Sequence, residues 1–292
     1  MEIDAQIEWT LERAVGGAEG PDTPPKLAAA IRHAVFPGGA RVRPQLCLAV
    51  AAACADGEDS DMRLAAAAAG AIELLHCASL VHDDLPCFDD AATRRGKPAV
   101  HVAFGEPLGV LAGDSLIITA FEFLADEARV APLRLPALLK VISCAVGGRS
   151  GLVAGQAWES EPAIDLDAYH QSKTAALFVA ATTAGAAAMG CDGSDWRKLG
   201  VRLGGAYQVA DDLRDHVMSS DDLGKPAGQD FLLGRPSAVA EFGVEGALAK
   251  LNHLIEDAAE SVPDCAGAER LQALVFAQAK RLTPASLAAL NV

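Results

Sequence analysis

The sequence predicts an all-α protein, and three observations support this prediction. Apolar residues recur at three- and four-residue spacing throughout the 292-residue chain, which is the period of helices with one buried face. No alternation of period two persists anywhere in the sequence. Hydrophobic residues make up 51% of the chain and aromatic residues only 5%, and alanine is abundant. Helices that pack closely through small side chains are therefore expected.

Glycine and proline clusters divide this pattern into a series of predicted helices. The predicted helices cover residues 2–15, 25–35, 40–55, 61–84, 107–127, 134–147, 166–190, 194–218, 243–261 and 267–282. No long low-complexity linker separates two halves. Residues 1–292 are therefore interpreted as a single domain.

Composition argues against several partners and locations. The net charge of −15 disfavours nucleic acid and anionic membrane surfaces. The longest apolar run, from Leu64 to Val81, contains Glu73, His76 and Ser79, and we expect it to be a core helix with no membrane span. Seven scattered cysteines without a C-x-x-C pair predict a reduced, cytoplasmic protein. The acidic first residues lack the basic region of a signal peptide.

Two aspartate clusters stand on these apolar helices. The first is His82-Asp83-Asp84-Leu85-Pro86-Cys87-Phe88-Asp89-Asp90, and the second is Gln208-Val209-Ala210-Asp211-Asp212-Leu213-Arg214-Asp215. One Asp-Asp pair alone is commonly a solvated helix end. Two pairs on apolar helices, each with a third aspartate, imply a shared counter-charge, since adjacent carboxylates repel. Hard oxygen ligands in that number favour Mg²⁺.

The spacing within each cluster brings carboxylates together. Asp211 and Asp215 are four residues apart on one helical face, and Gln208 joins that face. Asp83 and Asp89 would diverge on a regular helix. The proline between them, at position 86, interrupts the helix, so we expect the chain to curl and bring Asp89 back beside Asp83.

Basic motifs accompany both clusters. They are Gly38-Gly39-Ala40-Arg41-Val42-Arg43-Pro44, Arg94-Arg95-Gly96-Lys97-Pro98, Lys173-Thr174 and Gly224-Lys225-Pro226. Guanidinium groups bind phosphate oxygens bidentately, and lysine supplies a point charge. Any one motif could be a surface loop. Acidic residues for metal beside basic residues for phosphate together predict a metal–diphosphate site.

In this order, the motifs resemble those of the trans-isoprenyl (polyprenyl) diphosphate synthase family. The similarity runs from about residue 36 to residue 230 and is closest to bacterial geranylgeranyl diphosphate synthases of carotenoid and bacteriochlorophyll synthesis. The resemblance implies a helical bundle of the isoprenoid-synthase type with a central active-site cavity. It also implies a cytoplasmic homodimer that acts on small isoprenoid diphosphates.

The resemblance assigns roles to individual positions. The residues implied to bind three Mg²⁺ ions are Asp83, Asp84, Asp89, Asp211 and Asp215. Those implied to hold the allylic diphosphate are Arg94, Lys173, Thr174 and Lys225, with Gln208 near the reacting carbons. Those implied to hold isopentenyl diphosphate are Gly39, Arg43, His76 and Arg95. The core catalytic set implied is Asp83, Asp89, Arg94, Lys173, Gln208, Asp211 and Lys225.

The implied reaction is an Mg²⁺-dependent prenyl transfer. Loss of diphosphate from dimethylallyl, geranyl or farnesyl diphosphate gives an allylic cation, which the double bond of isopentenyl diphosphate attacks. In the family, an aromatic residue four or five positions before the first aspartate stops growth at C15, and this chain has the small residues Ser79 and Ala78 there, so the resemblance implies extension to a C20 product. Leu74 and Leu75, with Phe121 or Phe123 of the next helix, are expected to form the floor of the product tunnel. The alternative is that Ala78 and Ser79 only permit close helix packing.

One position departs from the family pattern. The family usually has lysine after Gly-Gly, and this chain has Ala40. The change predicts weaker binding of isopentenyl diphosphate unless Arg41 or another group substitutes. The alternatives are a farnesyl diphosphate synthase and a weakly active regulatory subunit that binds a partner synthase. A terpene cyclase shares the fold, but the arginine-rich motifs favour chain elongation.

Overall fold

The computed structural model is helical, as the sequence predicts. It describes residues 3–36, 38–55, 61–162, 169, 171–217 and 237–282. The helices of the first half are α1 (Ile3–Gly17), α2 (Pro25–Val35), α3 (Val42–Ala53), α4 (Arg63–Asp83), α5 (Val100–Phe104), α6 (Glu106–Glu127) and α7 (Leu135–Val146). Those of the second half are α8 (Leu152–Trp158), α9 (Ala176–Met189), α10 (Arg197–Val217), α11 (Ala238–Glu260) and α12 (Ala268–Leu282).

Short elements complete the described structure. Three 3-10 turns occur at Ala128–Val130, Pro132–Arg134 and Gly193–Trp196, and a π-helical turn spans Gln171–Ala175. Among the described residues the strands are β1 (Thr93–Arg94) and β2 (Lys97–Pro98), which pair antiparallel. The all-α prediction is confirmed, and this two-residue hairpin is an addition to it.

The chain divides into two compact units. Unit 1 comprises Met1–Ile142 with Ala184–Cys191, and unit 2 comprises Ser143–Thr183 with Asp192–Val292. The interpretation of residues 1–292 as a single domain stays a prediction, as does the central cavity.

Unit 1 is built around α4, whose residues are mostly buried. Helix α6 packs against α4, and small residues allow the close approach. A Cβ atom at Gly113 would lie 2.1 Å from Nε2 of His82, and one at Gly109 would lie 3.1 Å from Cδ2 of Leu85. These two glycines are one helical turn apart, so α6 presents a shallow groove to the end of α4. The C-terminal end of the first aspartate-bearing helix is thereby fixed against its neighbour.

Unit 2 is built around α10, which packs on α11 and on the π-helical turn. A Cβ atom at Gly204 would lie 2.6 Å from Cα of Ala175, and one at Gly200 would lie 2.5 Å from Cα of Val179. Glycine is required at both positions because the two backbones nearly touch. The second aspartate cluster, at the C-terminal end of α10, is therefore held at a fixed distance from the Lys173-Thr174 turn.

Two helices among the described residues are long and apolar enough to cross a membrane, by length and composition only. In Arg63–Asp83, 83% of the most apolar window is buried within the protein, which agrees with the predicted core helix. In Glu106–Val130 the buried share is 39%. The absence of a membrane span therefore stays a prediction.

Several predicted helix boundaries were wrong. The helix predicted over 40–55 begins at Val42, because Arg41 has a left-handed backbone with φ 49°. The helix predicted over 243–261 is present after the non-helical Gly243, and a short helical segment that was not predicted precedes it from Ala238, capped by the side chain of Ser237. Helices α5 and α8 were not predicted, since five- and seven-residue helices carry little periodicity. Residues 166–168 and 170 of the helix predicted over 166–190 lie outside the described residues.

Candidate active site

The first aspartate cluster forms a turn directly after α4. Helix α4 ends at Asp83, and the backbone N–H of Asp89 donates to the carbonyl oxygen of Asp83 over 3.0 Å. Inside this loop the N–H of Phe88 donates to Leu85 over 2.9 Å. The curl predicted from Pro86 is confirmed, and it brings the backbones of the two predicted metal ligands together.

The β1–β2 hairpin carries the next two predicted residues, Arg94 and Arg95. Arg95 and Gly96 form its two-residue turn, and both have positive φ, 53° and 74°. Arg94 donates from Nε to the two carboxylate oxygens of the buried Asp84 over 2.9 and 3.2 Å. Burial opposes the charge, but the hydrogen bonds to Asp84 raise the pKa of Arg94 above its ordinary value. Arg94 is therefore charged and oriented beside the acidic turn.

The predicted isopentenyl diphosphate residues come together in unit 1. A Cβ atom at Gly39 would lie 3.0 Å from Nε of Arg95, so this guanidinium packs directly against the glycine. Burial lowers the pKa of His76 well below its usual value, and the positive charges of Arg43 and Arg95 lower it further. His76 is therefore a neutral imidazole within a cluster of guanidinium groups, a setting that suits a diphosphate.

Arg41 does not replace the missing cation next to Ala40. Its guanidinium lies inward, 2.8 Å from Oε1 of Glu8 and 2.8 Å from Oε1 of Glu73. The Arg41 side chain is 5% exposed. Ala40 therefore leaves this side of the predicted diphosphate site one positive charge short of the family pattern.

In unit 2, the π-helical turn presents Lys173 and Thr174. Such turns are uncommon and occur frequently at functional sites. A Cβ atom at Gly155 of α8 would lie 2.6 Å from the backbone nitrogen of Lys173, so α8 touches the turn. Glu159, which directly follows α8, accepts hydrogen bonds from Nζ of Lys173 over 2.5 Å and from the hydroxyl of Tyr169 over 2.7 Å. Lys173 is therefore held by a carboxylate that the sequence analysis did not identify.

A chain of hydrogen bonds connects Thr174 to the second aspartate cluster. The Thr174 hydroxyl donates to Oε1 of Gln208 over 2.6 Å, and Nε2 of Gln208 donates to Oδ1 of Asp212 over 2.8 Å. Asp212 is buried and also accepts from the backbone N–H of Ala238 over 2.7 Å. Asp212 thus orients Gln208 and holds the start of α11, while Gln208 fixes the threonine.

The remaining predicted ligands of unit 2 lie on α10. Asp211 and Asp215 follow Gln208 on the same helical face, as predicted from their spacing. Nη1 of Arg214 lies 3.8 Å from Oδ1 of Asp211. Lys225 lies outside the described residues.

The donor chemistry of both clusters fits magnesium. Within the described residues, no group of three His, Cys, Asp or Glu side chains forms a preassembled metal cluster. Magnesium is usually bound through one or two carboxylates, substrate phosphates and water, so Asp83 with Asp89, and Asp211 with Asp215, are suitable protein ligands. Asp84 is bonded to Arg94, so its predicted role as a ligand requires an exchange of partners.

The residues predicted to control product length lie on α4. Leu75 is 2% exposed and Ala78 is 1% exposed. Ser79 is half-buried, and its hydroxyl donates to the carbonyl oxygen of His76 over 2.8 Å. Phe123 of α6 lies 3.6 Å from the position of a Cβ atom on Gly70, which is about two helical turns before Ala78 on α4. The small side chains lie on α4 about one turn before Asp83, and their control of product length stays a prediction.

Sequence reasoning missed two acids that hold basic side chains in place, Glu73 beside Arg41 and Glu159 beside Lys173. Glu73 was visible as an acid within an apolar run, and a buried acid requires a counter-charge. Its partner, Arg41, could not be identified because the two are far apart in sequence. Glu159 carried no signal of its own.

The chain is similar to several known proteins. The family model "Polyprenyl synthetase" matches residues 24–271. A geranylgeranyl diphosphate synthase of Cereibacter sphaeroides is 50% identical over 289 residues, covering 99% of both chains. One of Rhodobacter capsulatus is 50% identical over 282 residues, covering 97% of this chain and 96% of the relative. The crystal structure of a geranyltransferase from Helicobacter pylori, complexed with magnesium and isoprenyl diphosphate, shares 27% identity with a TM-score of 0.77, covering 96% and 98% of the two chains.

The helical fold, the two aspartate clusters and these matches define the class of protein. The chain belongs to the polyprenyl synthetase family.

Proposed function

We propose that this chain is a geranylgeranyl diphosphate synthase, a trans-prenyltransferase that elongates allylic diphosphates with isopentenyl diphosphate. The observation that carries the proposal is the hairpin. It places Arg94 on the acidic turn and Arg95 on Gly39. These contacts support the proposal that Arg94 serves the allylic diphosphate site and that its neighbour Arg95 serves the isopentenyl diphosphate site. The relatives at 50% identity, both named geranylgeranyl diphosphate synthases, support the same product.

Magnesium is the proposed cofactor. Asp83, Asp89, Asp211 and Asp215 would hold it, and three ions with the allylic diphosphate is the proposed number. When bound, magnesium supplies positive charge that stabilises the departing diphosphate. The Helicobacter pylori geranyltransferase, complexed with magnesium, supports this assignment.

The allylic diphosphate is proposed to bind Lys173, Thr174, Arg94 and Lys225. The positive charges of Lys173, Arg94 and Lys225 stabilise the negative charge that develops on the leaving group, so the allylic C–O bond ionises. The hydrogen bond from Thr174 to Gln208, 2.6 Å long, orients the threonine hydroxyl, and Gln208 is proposed to lie near the reacting carbons. No side-chain nucleophile is required.

Isopentenyl diphosphate is proposed to bind Gly39, Arg43, His76 and Arg95. The neutral imidazole of His76 donates one N–H to a phosphate oxygen, and the guanidinium groups bind the others. Anchoring this diphosphate directs its double bond toward the allylic cation. The attack forms the new C–C bond and leaves a tertiary cation on the isopentenyl unit. The released diphosphate then takes a proton from the carbon next to that cation, and the electrons of the broken C–H bond form the new double bond.

The proposed product is C20. Ala78 and Ser79 lie about one helical turn before Asp83, and a turn rises about 5.4 Å, close to the length of an isoprene unit. Their small side chains leave space for a farnesyl chain and one further extension. A farnesyl diphosphate synthase is the alternative within the same class. The regulatory-subunit alternative rests on Ala40 alone.

A homodimer is also proposed, formed through α6. Val110, Leu111 and Ile118 on this helix are 43%, 49% and 58% exposed. A stripe of this kind on the apolar helix α6 is typical of a protein interface. The double variant Leu111→Lys/Ile118→Lys should be monomeric in light scattering, whereas Val153→Lys, a matched change at an exposed valine, should remain dimeric. Lipid binding without dimerisation would contradict this proposal and the cytoplasmic, membrane-free location proposed from composition.

One experiment tests the proposed function. The purified chain is incubated with Mg²⁺, isopentenyl diphosphate and each of dimethylallyl, geranyl and farnesyl diphosphate, and the products are sized. We expect a C20 product that disappears when EDTA is added. Absence of product from every starter would favour the regulatory subunit, and a C15 end point would favour the farnesyl alternative.

A further inference from the structure

Arg41 occupies an unusual place at the edge of the proposed isopentenyl diphosphate site. It is the residue before α3, and its φ of 49° and ψ of 32° lie in the left-handed region. Non-glycine residues adopt this conformation rarely and at an energetic cost. Because the backbone of Arg41 is in this unfavourable conformation, its side chain is expected to make contacts that stabilise it.

The contacts of Arg41 span three helices. Its Nε donates to Glu8 of α1 over 2.8 Å, and its Nη1 donates to Glu73 of α4 over 2.8 Å. Its Nη2 donates to the carbonyl oxygen of Val35, the last residue of α2, over 2.9 Å. All three nitrogens of the guanidinium thus bind protein atoms. Burial opposes the charge, but the hydrogen bonds to Glu8 and Glu73 raise the pKa of Arg41, which is therefore permanently charged.

The same guanidinium lies against the loop that begins the site. A Cβ atom at Gly38 would lie 2.0 Å from Cζ of Arg41, so no other residue fits there without displacing the arginine. On the next residue, Gly39, a Cβ atom would lie 3.0 Å from Nε of Arg95. Gly38 therefore packs against the guanidinium of Arg41, and Gly39 packs against that of Arg95. Only the guanidinium of Arg95 belongs to the proposed substrate site.

We propose that Arg41 is a positioning residue for isopentenyl diphosphate. By tying α1, α2 and α4 to the residues that precede α3, it sets the position from which Gly39 and Arg43, the second residue of α3, bind the diphosphate. The inference rests on the proposed function and names a determinant of affinity within it.

A double variant tests the inference while preserving the fold. Arg41→Asn keeps a residue that tolerates the left-handed backbone, and Glu73→Gln removes the buried charge that would otherwise lose its partner. Circular dichroism checks that the variant is folded. We expect KM for isopentenyl diphosphate to rise about tenfold or more, since small misplacements of binding groups have effects of this order. KM for farnesyl diphosphate should change by less than about twofold, because the variant changes none of the residues proposed to bind that substrate.

Gly38→Ala provides a second, independent variant. It retains both charges but forces Arg41 away from the loop, and it should raise KM for isopentenyl diphosphate in the same direction. Arg134→Gln is the matched control. Arg134 also donates to a backbone carbonyl, that of Ala188 over 2.6 Å, and also packs against a glycine, with a Cβ atom at Gly190 lying 3.1 Å from its Nη2. The control should leave both KM values unchanged.

Calorimetric titration with isopentenyl diphosphate alone separates the two proposals. If the wild type binds isopentenyl diphosphate but makes no product, the proposed function is contradicted. If the Arg41 variant then binds isopentenyl diphosphate more weakly than the wild type, the inference is still supported. Equal affinity of the wild type and both variants, or an equal rise in the two KM values, would overturn the inference.

Discussion

The backbone N–H of Asp89 donates a hydrogen bond to the carbonyl oxygen of Asp83 over 3.0 Å. On a continued helix these two residues would face different directions, since they are six positions apart. The bond exists because α4 ends at Asp83 and the chain then turns through Pro86. The turn is therefore the feature that makes a single metal site possible for both carboxylates.

Asp89→Asn should lower kcat by about 100-fold or more. The substitution removes a proposed ligand of Mg²⁺, whose positive charge stabilises the leaving diphosphate. Asp90→Asn is the control. Asp90 has a φ of 46°, which asparagine also tolerates, and its side chain is 73% exposed. Steady-state rates at saturating Mg²⁺ check the prediction. Equal losses in the two variants would contradict the role given to the turn.

Local features of the site could be predicted from the sequence. Pro86 acts on its own neighbours, so the curl between Asp83 and Asp89 followed from the sequence alone. Gln208, Asp211 and Asp215 share a face because a regular helix fixes that geometry. These relationships depend on residues a few positions apart.

Long-range partners could not be predicted. The pair of Arg41 with Glu73 joins positions on different elements, and no local pattern specifies which acid meets which arginine. The same is true of Glu159 and Lys173. The start of α3 was misplaced for a related reason, since tertiary contacts of Arg41 stabilise a left-handed backbone that its sequence position does not favour.

Glu159→Gln should raise KM for the allylic substrate about tenfold, because Lys173 loses the charged partner that holds its ammonium group in place. Glutamine retains the shape and can still accept from Tyr169. Glu161→Gln makes the same charge change at an exposed position two residues away and should have little effect. An unchanged or lower KM in Glu159→Gln would show that Glu159 does not position the lysine.

Ala40→Lys should improve binding of isopentenyl diphosphate. A lysine there restores a cation beside Gly39, and a charge-assisted contact worth about 1.4 kcal/mol would lower KM about tenfold. Ala52→Lys, at an exposed position of α3, adds the same charge away from the site. If both variants change KM equally, the effect comes from the net charge of the protein. In that case Ala40 does not leave the isopentenyl diphosphate site short of a cation.

His76 should make the protein less stable at mildly acidic pH. Burial and the nearby arginines lower the pKa of His76 in the folded protein, whereas in the unfolded chain it titrates near about 6.5. Below that pH the unfolded state takes up a proton that the folded state does not. The free energy of unfolding should therefore fall by up to about 1.4 kcal/mol per pH unit as pH decreases from 6.5 toward the lowered pKa.

Urea denaturation at a series of pH values from 8 to 5 measures this loss. His76→Gln should flatten the pH dependence in that window. A slope that is the same in the wild type and the variant would assign the pH dependence to other groups.

Ala78→Phe should shorten the product. Ala78 is 1% exposed on α4, and a phenyl ring there would occupy the path proposed for the growing chain. We expect C15 in place of C20, with Ala78→Ser, a small substitution, still giving C20. Product sizing by chromatography checks both variants. An unchanged C20 product from Ala78→Phe would refute the proposal that the side chain at position 78 limits product length.

The central claim is that the two aspartate clusters and their basic partners join farnesyl diphosphate to isopentenyl diphosphate. The most direct measurement is a single-turnover reaction of the full chain with these two substrates and Mg²⁺, followed by sizing of the product. The account predicts geranylgeranyl diphosphate from the wild type, and at least about a 100-fold slower reaction from Asp83→Asn and Asp211→Asn. Recovery of unreacted farnesyl diphosphate from the folded wild-type chain would contradict it.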